Sequence, residues 1–354
     1  MPPLNILLLG TFGEGAVERV KAVVPSARVV DARGTFEVEY AETWPAESVQ
    51  RYVSQRAIAD NPSTRAERDA LLAAADIICL RFPFPLDLRS RAPRLKWLHQ
   101  TPAGASNLRR GDIWGSDVLV TTSRGLNNCL PIAEYTLATI FTFAKALPQA
   151  FHDQARRRFD RRQYRSVLIQ DKTLGVIGLG GIGSEVARLA KAVGMRVLAT
   201  RRSATSAQRN VQGVDELLPA SDLPRLLEHS DFVVLSTQWT PQTEKLIGAA
   251  ELRLMKPSAC LVNIARGELI DQLSLVRALE GGEIAAAALD VYVDEFSGPP
   301  PEELWRLPNV LITPHTSVST DVQYARGLEL FCDNLRRYEQ GQPLLNVLDW
   351  ERGY

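Results

Sequence analysis

A short apolar segment, a glycine-rich turn and an amphipathic segment follow one another from Thr173 onward. The turn contains Gly178, Gly180 and Gly183, which gives the spacing G-x-G-x-x-G. In such a turn the first glycine allows a tight bend, the second lets the backbone approach a pyrophosphate, and the third lets the helix pack on the strand. Because a strand is predicted before the turn and a helix after it, the pattern predicts dinucleotide binding at the helix N-terminus. The alternative is a βα turn that binds nothing.

Length and charge limit the classes of protein to which the chain can belong. Its 354 residues suffice for two domains, and Lys plus Arg equals Asp plus Glu at 41 each. This balance does not favour nucleic acid or an acidic membrane surface as a partner. An arginine-rich stretch at 156–165 leaves nucleic-acid binding open, but a solvated or intersubunit linker explains it better.

The cysteines and the apolar segments indicate a cytoplasmic protein. The four cysteines are widely spaced without a C-x-x-C pair, so we expect reduced thiols, no disulfide framework and no metal site. The N-terminal apolar run 4–10 is too short for a signal peptide, and no run has the length of a membrane span.

Strand and helix patterns alternate along the chain, which predicts an α/β fold with parallel sheets covered by helices. In the first part we expect strands at 5–9, near 38, at 76–80, 95–99 and 118–121. In the second part we expect them at 173–177, 196–200, 231–235, 259–263, 286–290 and 309–312, which completes a dinucleotide-binding domain. The segment 128–147 predicts a helix too apolar to be exposed, which should pack on another domain or subunit. A last helix is expected at 321–338.

Ionisable residues follow three of the predicted strands, where an open α/β sheet binds its ligands. The segments are NIARGELID (263–271), ALDVYVDE (288–295) and ITPHTS (312–317). Each residue alone has a structural explanation: Arg266 as a surface cation, Glu295 as a loop acid and His315 as a polar group after a proline. Together they form a plausible acid/base site, since imidazole can give or take a proton near neutral pH.

These segments, with VIGLGGIG (176–183) and LSTQWTPQTEKLIG (235–248), resemble the NAD(P)-dependent D-2-hydroxyacid dehydrogenase family, in particular its glyoxylate/hydroxypyruvate reductases. The resemblance extends from about residue 75 onward. It implies two Rossmann-like, doubly wound domains. A discontinuous substrate domain would comprise 1–123 and 316–354, and a cofactor domain with a dimerisation helix and arm, 124–315, would be inserted into it. A homodimer is also implied.

The resemblance assigns roles to individual residues. Arg266 would bind the substrate carboxylate and keto oxygen, His315 would be the general acid/base with Glu295 as its partner, and Asp290 would lie near the nicotinamide carboxamide. Substrate would also meet backbone N–H groups of the loop 101–106, at Ala103, Gly104 and Ala105. The implied cofactor-binding residues are Gly178, Gly180, Gly181, Ile182, Gly183, Arg201, Arg202, Ser203, Thr237, Thr243, Ile264, Ala265, Asp290 and His315.

Arg201, followed by Arg202 and Ser203, stands where NAD-using relatives carry an acidic residue. An acid there would repel a 2′-phosphate, whereas arginine and a hydroxyl would bind it, so NADP(H) is favoured over NAD(H). Two departures from the family pattern concern the site: Gln238–Trp239 beside the expected cofactor ribose, and Phe296–Ser297 after Glu295. The substrate loop also reads AGAS where valine and aspartate are common.

The expected function is therefore NADPH-dependent reduction of a small 2-keto acid, with glyoxylate or hydroxypyruvate as the first substrates to test. A dinucleotide-sensing corepressor that binds cofactor without turnover is the alternative. Formate or phosphite oxidation is a further one within the same family.

Overall fold

The computed structural model describes residues 3–60, 63–125, 128–211, 213–321 and 323–353, and only the backbone of 323–326. The described residues fall into two compact units. The outer unit takes its residues from 1–127, 296–298 and 320–354, and the central unit from 128–295 and 299–319. The central unit is thus inserted into a discontinuous outer unit, as the resemblance implies.

The outer unit contains a five-stranded parallel sheet with the order β2-β1-β3-β4-β5. Its strands are β1 (Asn5–Leu9), β2 (Arg28–Asp31), β3 (Ile77–Leu80), β4 (Trp97–Gln100) and β5 (Leu119–Thr122). Its first helices are α1 (Ala16–Val23), α2 (Glu37–Thr43), α3 (Ala46–Tyr52), α4 (Gln55–Asp60), α5 (Arg65–Ala74) and α6 (Leu88–Arg91). Strands β3 and β4 are buried along their whole length, as expected for the interior of a parallel sheet.

The strand predicted near residue 38 is wrong, because the segment forms α2. Glu39 is only 2% exposed, and its carboxylate accepts hydrogen bonds from Arg68 (2.9 Å) and Arg91 (2.5 Å). Acidic residues in the first turn of a helix are stabilised by the helix dipole, whereas a strand would gain nothing from them. The second strand of the sheet is instead β2, which lies at the sheet edge and is too short and polar for its pattern to reveal.

The central unit contains an eight-stranded sheet with the order β13-β12-β11-β10-β6-β7-β9-β8. The strands are β6 (Thr173–Ile177), β7 (Arg196–Arg201), β8 (Gln208–Val211), β9 (Val214–Pro219), β10 (Phe232–Leu235), β11 (Cys260–Asn263), β12 (Ala286–Leu289) and β13 (Val310–Ile312). The helices are α7 (Cys129–Ala144), α8 (Leu147–Ala155), α9 (Gly181–Ala192), α10 (Leu223–His229), α11 (Ala249–Leu254), α12 (Gln272–Glu280) and α13 (Glu302–Trp305). All six predicted strands are confirmed, while the antiparallel hairpin β8–β9 was not predicted.

The apolar helix predicted over 128–147 is interrupted. Helix α7 ends at Ala144, and Ala146 adopts the left-handed conformation (φ 53°) before α8 begins. The buried side chains Ile132 and Ile140 pack against α9 in the core of the central unit. One face of the helix therefore packs within its own unit, and its packing on another subunit stays a prediction.

The last helix, α14 (Gln323–Glu339), packs on α1 in the outer unit. Phe331 of this helix stacks on Trp97 of β4 with ring centroids 5.2 Å apart. This contact joins the end of the chain to the N-terminal sheet. None of the helices in the described part of the chain is long and apolar enough to cross a membrane.

The strand order of the central sheet reverses around β6, which lies between β10 and β7. Ligands of open α/β sheets bind at the carboxyl ends of the strands where such a reversal occurs. Because the strands from β6 to β13 are parallel except for β8, their carboxyl ends lie along one edge. This edge carries the residues that the sequence singles out.

Candidate functional site

The three glycines after β6 serve three different purposes. Gly178 has φ 101°, a conformation that a side chain would strain, and its backbone lies against Thr237. At Gly183 a Cβ atom would lie 2.2 Å from the carbonyl oxygen of Gly178, so only glycine lets the helix start this close to the strand. At Gly180 a Cβ atom would meet nothing within 4 Å. The second glycine thus faces open space at the N-terminus of α9, as a site for a pyrophosphate requires.

The end of β7 lies directly beside this turn. The carbonyl oxygen of Thr200 accepts hydrogen bonds from the backbone N–H groups of Gly178 (3.2 Å) and Leu179 (2.9 Å). The next residues, Arg201, Arg202 and Ser203, are all exposed. Two cationic side chains and a hydroxyl therefore follow the strand next to the glycine turn.

The predicted cofactor residues Thr237 and Thr243 lie in the turn after β10. Ser236, which sequence reasoning missed, donates a hydrogen bond to the carbonyl oxygen of Gly178 (2.8 Å). The Thr243 hydroxyl donates to the carbonyl oxygen of Gln238 (2.7 Å) and accepts from the N–H of Thr240 (2.8 Å). The structure therefore gives Thr243 a role in holding the turn that contains the unusual Gln238–Trp239 pair.

Asn263, the last residue of β11, shapes the loop that carries Arg266. Its side chain is fully buried, its amide group donates to the carbonyl oxygen of Arg266 (2.7 Å), and its amide oxygen accepts from the N–H of Ala265 (3.0 Å). Arg266 Nη1 donates to the carbonyl oxygen of Ala265 (2.6 Å). The predicted residues Ile264 and Ala265 are the two residues between Asn263 and Arg266. A single buried amide thus fixes the path of the chain leading to the guanidinium.

Gly267 brings the Arg266 loop against the segment that follows β12. A Cβ atom at Gly267 would lie 2.0 Å from the carbonyl carbon of Tyr292, so the two backbones touch at this point. Burial raises the pKa of the nearby Glu268 carboxyl, and the negative charge of Glu295 raises it further while Arg266 opposes the shift. The contact at Gly267 brings the segment that leads to Glu295 beside the loop that carries Arg266.

Asp290 anchors the loop that carries His315. The Asp290 carboxylate is 1% exposed and accepts hydrogen bonds from the Thr313 hydroxyl (2.6 Å) and from the N–H groups of Thr316 (2.8 Å) and Ser317 (3.0 Å). Its backbone oxygen accepts from the N–H of His315 (2.9 Å). The resemblance places Asp290 near the nicotinamide, and within the protein its carboxylate binds the loop that carries His315.

Tyr135 of α7 extends this hydrogen-bond chain, and sequence reasoning missed it. Its hydroxyl lies 2.6 Å from the Thr313 hydroxyl oxygen. Because Thr313 uses its own proton toward Asp290, the Tyr135 hydroxyl donates and Thr313 accepts. Burial is the main cause that raises the pKa of Tyr135, so the phenol keeps its proton at neutral pH.

His315 and Glu295 form a close pair. Nδ1 of His315 lies 3.1 Å from both carboxylate oxygens of Glu295. The Glu295 side chain is 4% exposed and that of His315 is 23% exposed. His315 itself has φ 54°, a left-handed conformation that is rare for a residue other than glycine. The anchored loop thus holds the imidazole with one nitrogen on a buried carboxylate.

The structure brings Arg266, Glu295 and His315 together within the central unit, after the adjacent strands β11, β12 and β13. The predicted substrate loop belongs to the outer unit, where Ala103, Gly104 and Ala105 follow β4. Phe296, which follows Glu295, also belongs to the outer unit and packs on Phe82 with centroids 4.9 Å apart. In the described part of the chain no cluster of three or more His, Cys, Asp or Glu side chains could hold a metal.

Comparison with known sequences assigns the chain to a family. Residues 137–317 match the D-isomer specific 2-hydroxyacid dehydrogenase NAD binding domain. The chain belongs to the D-isomer specific 2-hydroxyacid dehydrogenases. The Aeropyrum pernix glyoxylate reductase is 34% identical over 272 residues, which cover 75% of this chain and 79% of the relative. The Methanocaldococcus jannaschii D-3-phosphoglycerate dehydrogenase is 31% identical over 81% of this chain and 54% of its own length.

The solved structures of dehydrogenases of this family show the same fold. A D-isomer specific 2-hydroxyacid dehydrogenase from Xanthobacter autotrophicus Py2, solved in complex with NADPH and MES, has a TM-score of 0.75 and 25% identity. The match covers 99% of this chain and all of that one. The chain spans about half the length of the phosphoglycerate dehydrogenases that it matches, which are therefore longer proteins.

The open space at Gly180 predicts that Gly180→Ala blocks cofactor binding without harming the fold. The new methyl group meets no protein atom within 4 Å, but it occupies the space through which a pyrophosphate approaches the backbone. We expect the dissociation constant for NADPH, measured by fluorescence titration, to rise by about tenfold or more.

Gly248→Ala is the matched control for this variant. Gly248 also precedes a helix, has similar backbone angles, and would give a Cβ atom only an ordinary contact with Glu251 at 3.4 Å. Unchanged NADPH affinity in Gly180→Ala would contradict the placement of the cofactor.

Proposed function

We propose that the protein is an oxidoreductase that reduces a small 2-keto acid to the 2-hydroxy acid with a nicotinamide cofactor. The observation that carries the proposal is the carboxylate–imidazole pair of Glu295 and His315 on a loop anchored by Asp290, with the loop of Arg266 packed against the segment that leads to Glu295. Within a family of 2-hydroxyacid dehydrogenases, this is an arrangement that can move a proton and bind a carboxylate.

His315 is the proton donor in this proposal. Because Nδ1 faces the Glu295 carboxylate, Nε2 is the nitrogen on the opposite side of the ring and delivers the proton to the oxygen of the reduced carbonyl. The Glu295 carboxylate accepts the hydrogen bond of Nδ1–H and so holds the ring with Nε2 available for proton transfer. In the reverse direction neutral His315 accepts the hydroxyl proton at the same atom.

Arg266 binds and polarises the substrate. A guanidinium presents a planar fork of N–H donors that matches a carboxylate, and its charge draws electron density from a carbonyl oxygen. The turn held by Asn263 and the bond to the Ala265 carbonyl orient this group. The bound nicotinamide cofactor supplies the hydride.

We propose NADP(H) as the preferred cofactor, with NAD(H) as the alternative. The glycine turn would hold the pyrophosphate, and Arg201, Arg202 and Ser203 would bind a 2′-phosphate after β7. These residues are exposed beside the turn, and no acidic residue stands among them to repel a phosphate. The relative from Xanthobacter autotrophicus, solved with NADPH, supports the same choice.

Glyoxylate and hydroxypyruvate are the first substrates to test. The glyoxylate reductase of Aeropyrum pernix matches over most of its length, whereas the matched phosphoglycerate dehydrogenases are about twice as long as the matching region. The sequence resemblance to glyoxylate/hydroxypyruvate reductases points to the same substrates.

A cytoplasmic homodimer is the proposed form of the enzyme. Large apolar side chains are exposed along α8 and the arm that follows it, at Leu147, Phe151, Phe159, Val167 and Leu168. Such a set on one segment is typical of a subunit interface. The cysteines are all free and buried, which suits a reducing compartment.

His315→Gln tests the proposed reaction. Glutamine keeps the polarity and approximate size of the side chain but cannot transfer the proton, so kcat for glyoxylate reduction should fall by about 10²-fold or more. NADPH affinity should stay within about twofold, because the cofactor's phosphates bind elsewhere.

His229→Gln is the matched control, since His229 is exposed on α10 of the same unit. The measurement is kcat for glyoxylate reduction by steady-state kinetics in the wild type and both variants, and His229→Gln should keep the wild-type value. Unchanged turnover in His315→Gln would rule out the assigned role.

Arg201→Asp tests the cofactor preference. The wild type should show higher kcat/KM with NADPH than with NADH, and the new carboxylate should lower the NADPH value by about tenfold or more while sparing NADH. Arg253→Asp, an exposed arginine on α11, controls for the change in net charge. A wild-type preference for NADH would contradict the proposal.

A further inference from the structure

Gln100, the last residue of β4, lies directly before the loop 101–106 and is fully buried. Its side-chain Nε2 donates a hydrogen bond to the carbonyl oxygen of Gly104 (2.8 Å). Its Oε1 accepts a hydrogen bond from Nδ2 of Asn107 (3.0 Å). One carboxamide therefore binds both the middle of the loop and the first residue beyond it, all within the outer unit.

These contacts determine the direction of a backbone donor. The C=O of Gly104 and the N–H of Ala105 belong to one trans peptide plane and point in opposite directions. Because the Gly104 carbonyl points at Gln100, the Ala105 N–H points away from it. The same geometry applies two residues earlier, where the Pro102 carbonyl accepts from the N–H of Ser123 (3.3 Å), so that the Ala103 N–H points away from Ser123.

The backbone N–H groups in the middle of this loop have no hydrogen-bond acceptor in the described part of the chain. No residue there accepts a hydrogen bond from the backbone N–H of Ala103, Gly104 or Ala105. Adjacent N–H groups that the protein does not use form a binding place for an anion such as a carboxylate.

Gly104 and Asn107 together fix the way the Gln100 carboxamide faces. The Gly104 carbonyl can only accept, so the nitrogen of Gln100 faces Gly104, and its oxygen then faces Asn107, which donates to it. An acceptor at position 107 would favour the reverse orientation and place two oxygens against each other at Gly104.

We propose that Gln100 is a positioning residue for the substrate carboxylate. By holding the Gly104 carbonyl it aims the Ala105 N–H at the carboxylate of a 2-keto acid, without touching substrate itself. This inference rests on the proposed function, because that function supplies the carboxylate ligand.

Gln100→Leu removes both hydrogen bonds at similar volume. We expect KM for glyoxylate to rise by about tenfold or more while KM for NADPH stays within about twofold. Thr121→Val is the matched control, because Thr121 is a buried residue of the same sheet that bonds to Trp97 (2.9 Å) and His99 (2.8 Å). The control should lose stability but keep the KM for glyoxylate.

Gln100→Glu separates positioning from a structural role. An ionised glutamate cannot donate to the Gly104 carbonyl, whereas a protonated one can, and burial raises the pKa of such a carboxyl. The KM for glyoxylate, relative to the wild type at the same pH, should therefore be high at alkaline pH and approach the wild-type value at acidic pH. Loss of packing alone would produce no such recovery.

Oxalate binding to the NADPH-loaded enzyme, measured by calorimetry, gives a readout that does not depend on turnover. The Kd for oxalate should rise by about tenfold or more in Gln100→Leu. One outcome is that the wild type reduces glyoxylate or binds oxalate while the Kd for oxalate is unchanged in Gln100→Leu and the KM for glyoxylate shows no pH-dependent recovery in Gln100→Glu. That result would overturn the role of Gln100 alone. A wild type that neither turns over nor binds oxalate would overturn both this inference and the proposed function.

Discussion

The buried carboxylate of Asp290 is the acceptor on which the geometry of the loop that carries His315 depends. Burying a carboxylate costs free energy unless hydrogen bonds replace those that it makes to water. Here the Thr313 hydroxyl and the backbone N–H groups of Thr316 and Ser317 donate to it. His315 lies between the anchored residues in a left-handed conformation that these bonds sustain. The direction of the imidazole toward Glu295 therefore follows from hydrogen bonds that Asp290 makes on either side of His315.

The loop that carries Arg266 is likewise held by residues that bind its backbone. The Asn263 side chain holds the backbone N–H of Ala265 and the carbonyl of Arg266, and Gly267 lets that loop touch the backbone of Tyr292. These two structural residues therefore set the path of the backbone that carries Arg266 and its contact with the segment that leads to Glu295. The candidate site residues that follow three strands thus depend on neighbours that fix the backbone, which is how a rigid scaffold orients a site.

The sequence was sufficient to predict the parts of the site that local rules govern. Glycine spacing located the turn after β6, and the strand patterns placed Arg266, Glu295 and His315 beyond adjacent strands. Tyr135 could not be found in this way, because its partner Thr313 is 178 residues away and no motif connects them. For the same reason the segment near residue 38 was misjudged: the buried partners of Glu39, Arg68 and Arg91, become visible only in the folded chain. The hairpin β8–β9 has an exposed, polar first strand, so it lacked the apolar signal of the other strands.

The proposed activity is reduction of a 2-keto acid by NADPH, with Arg266 binding the substrate and His315 supplying the proton. The most direct test is the initial rate of NADPH oxidation by the wild-type protein across a panel of glyoxylate, hydroxypyruvate, pyruvate and larger 2-keto acids. The account predicts saturable NADPH oxidation with at least one of them and formation of the matching 2-hydroxy acid in equal amount. Tight binding of NADPH without reduction of any 2-keto acid would contradict it.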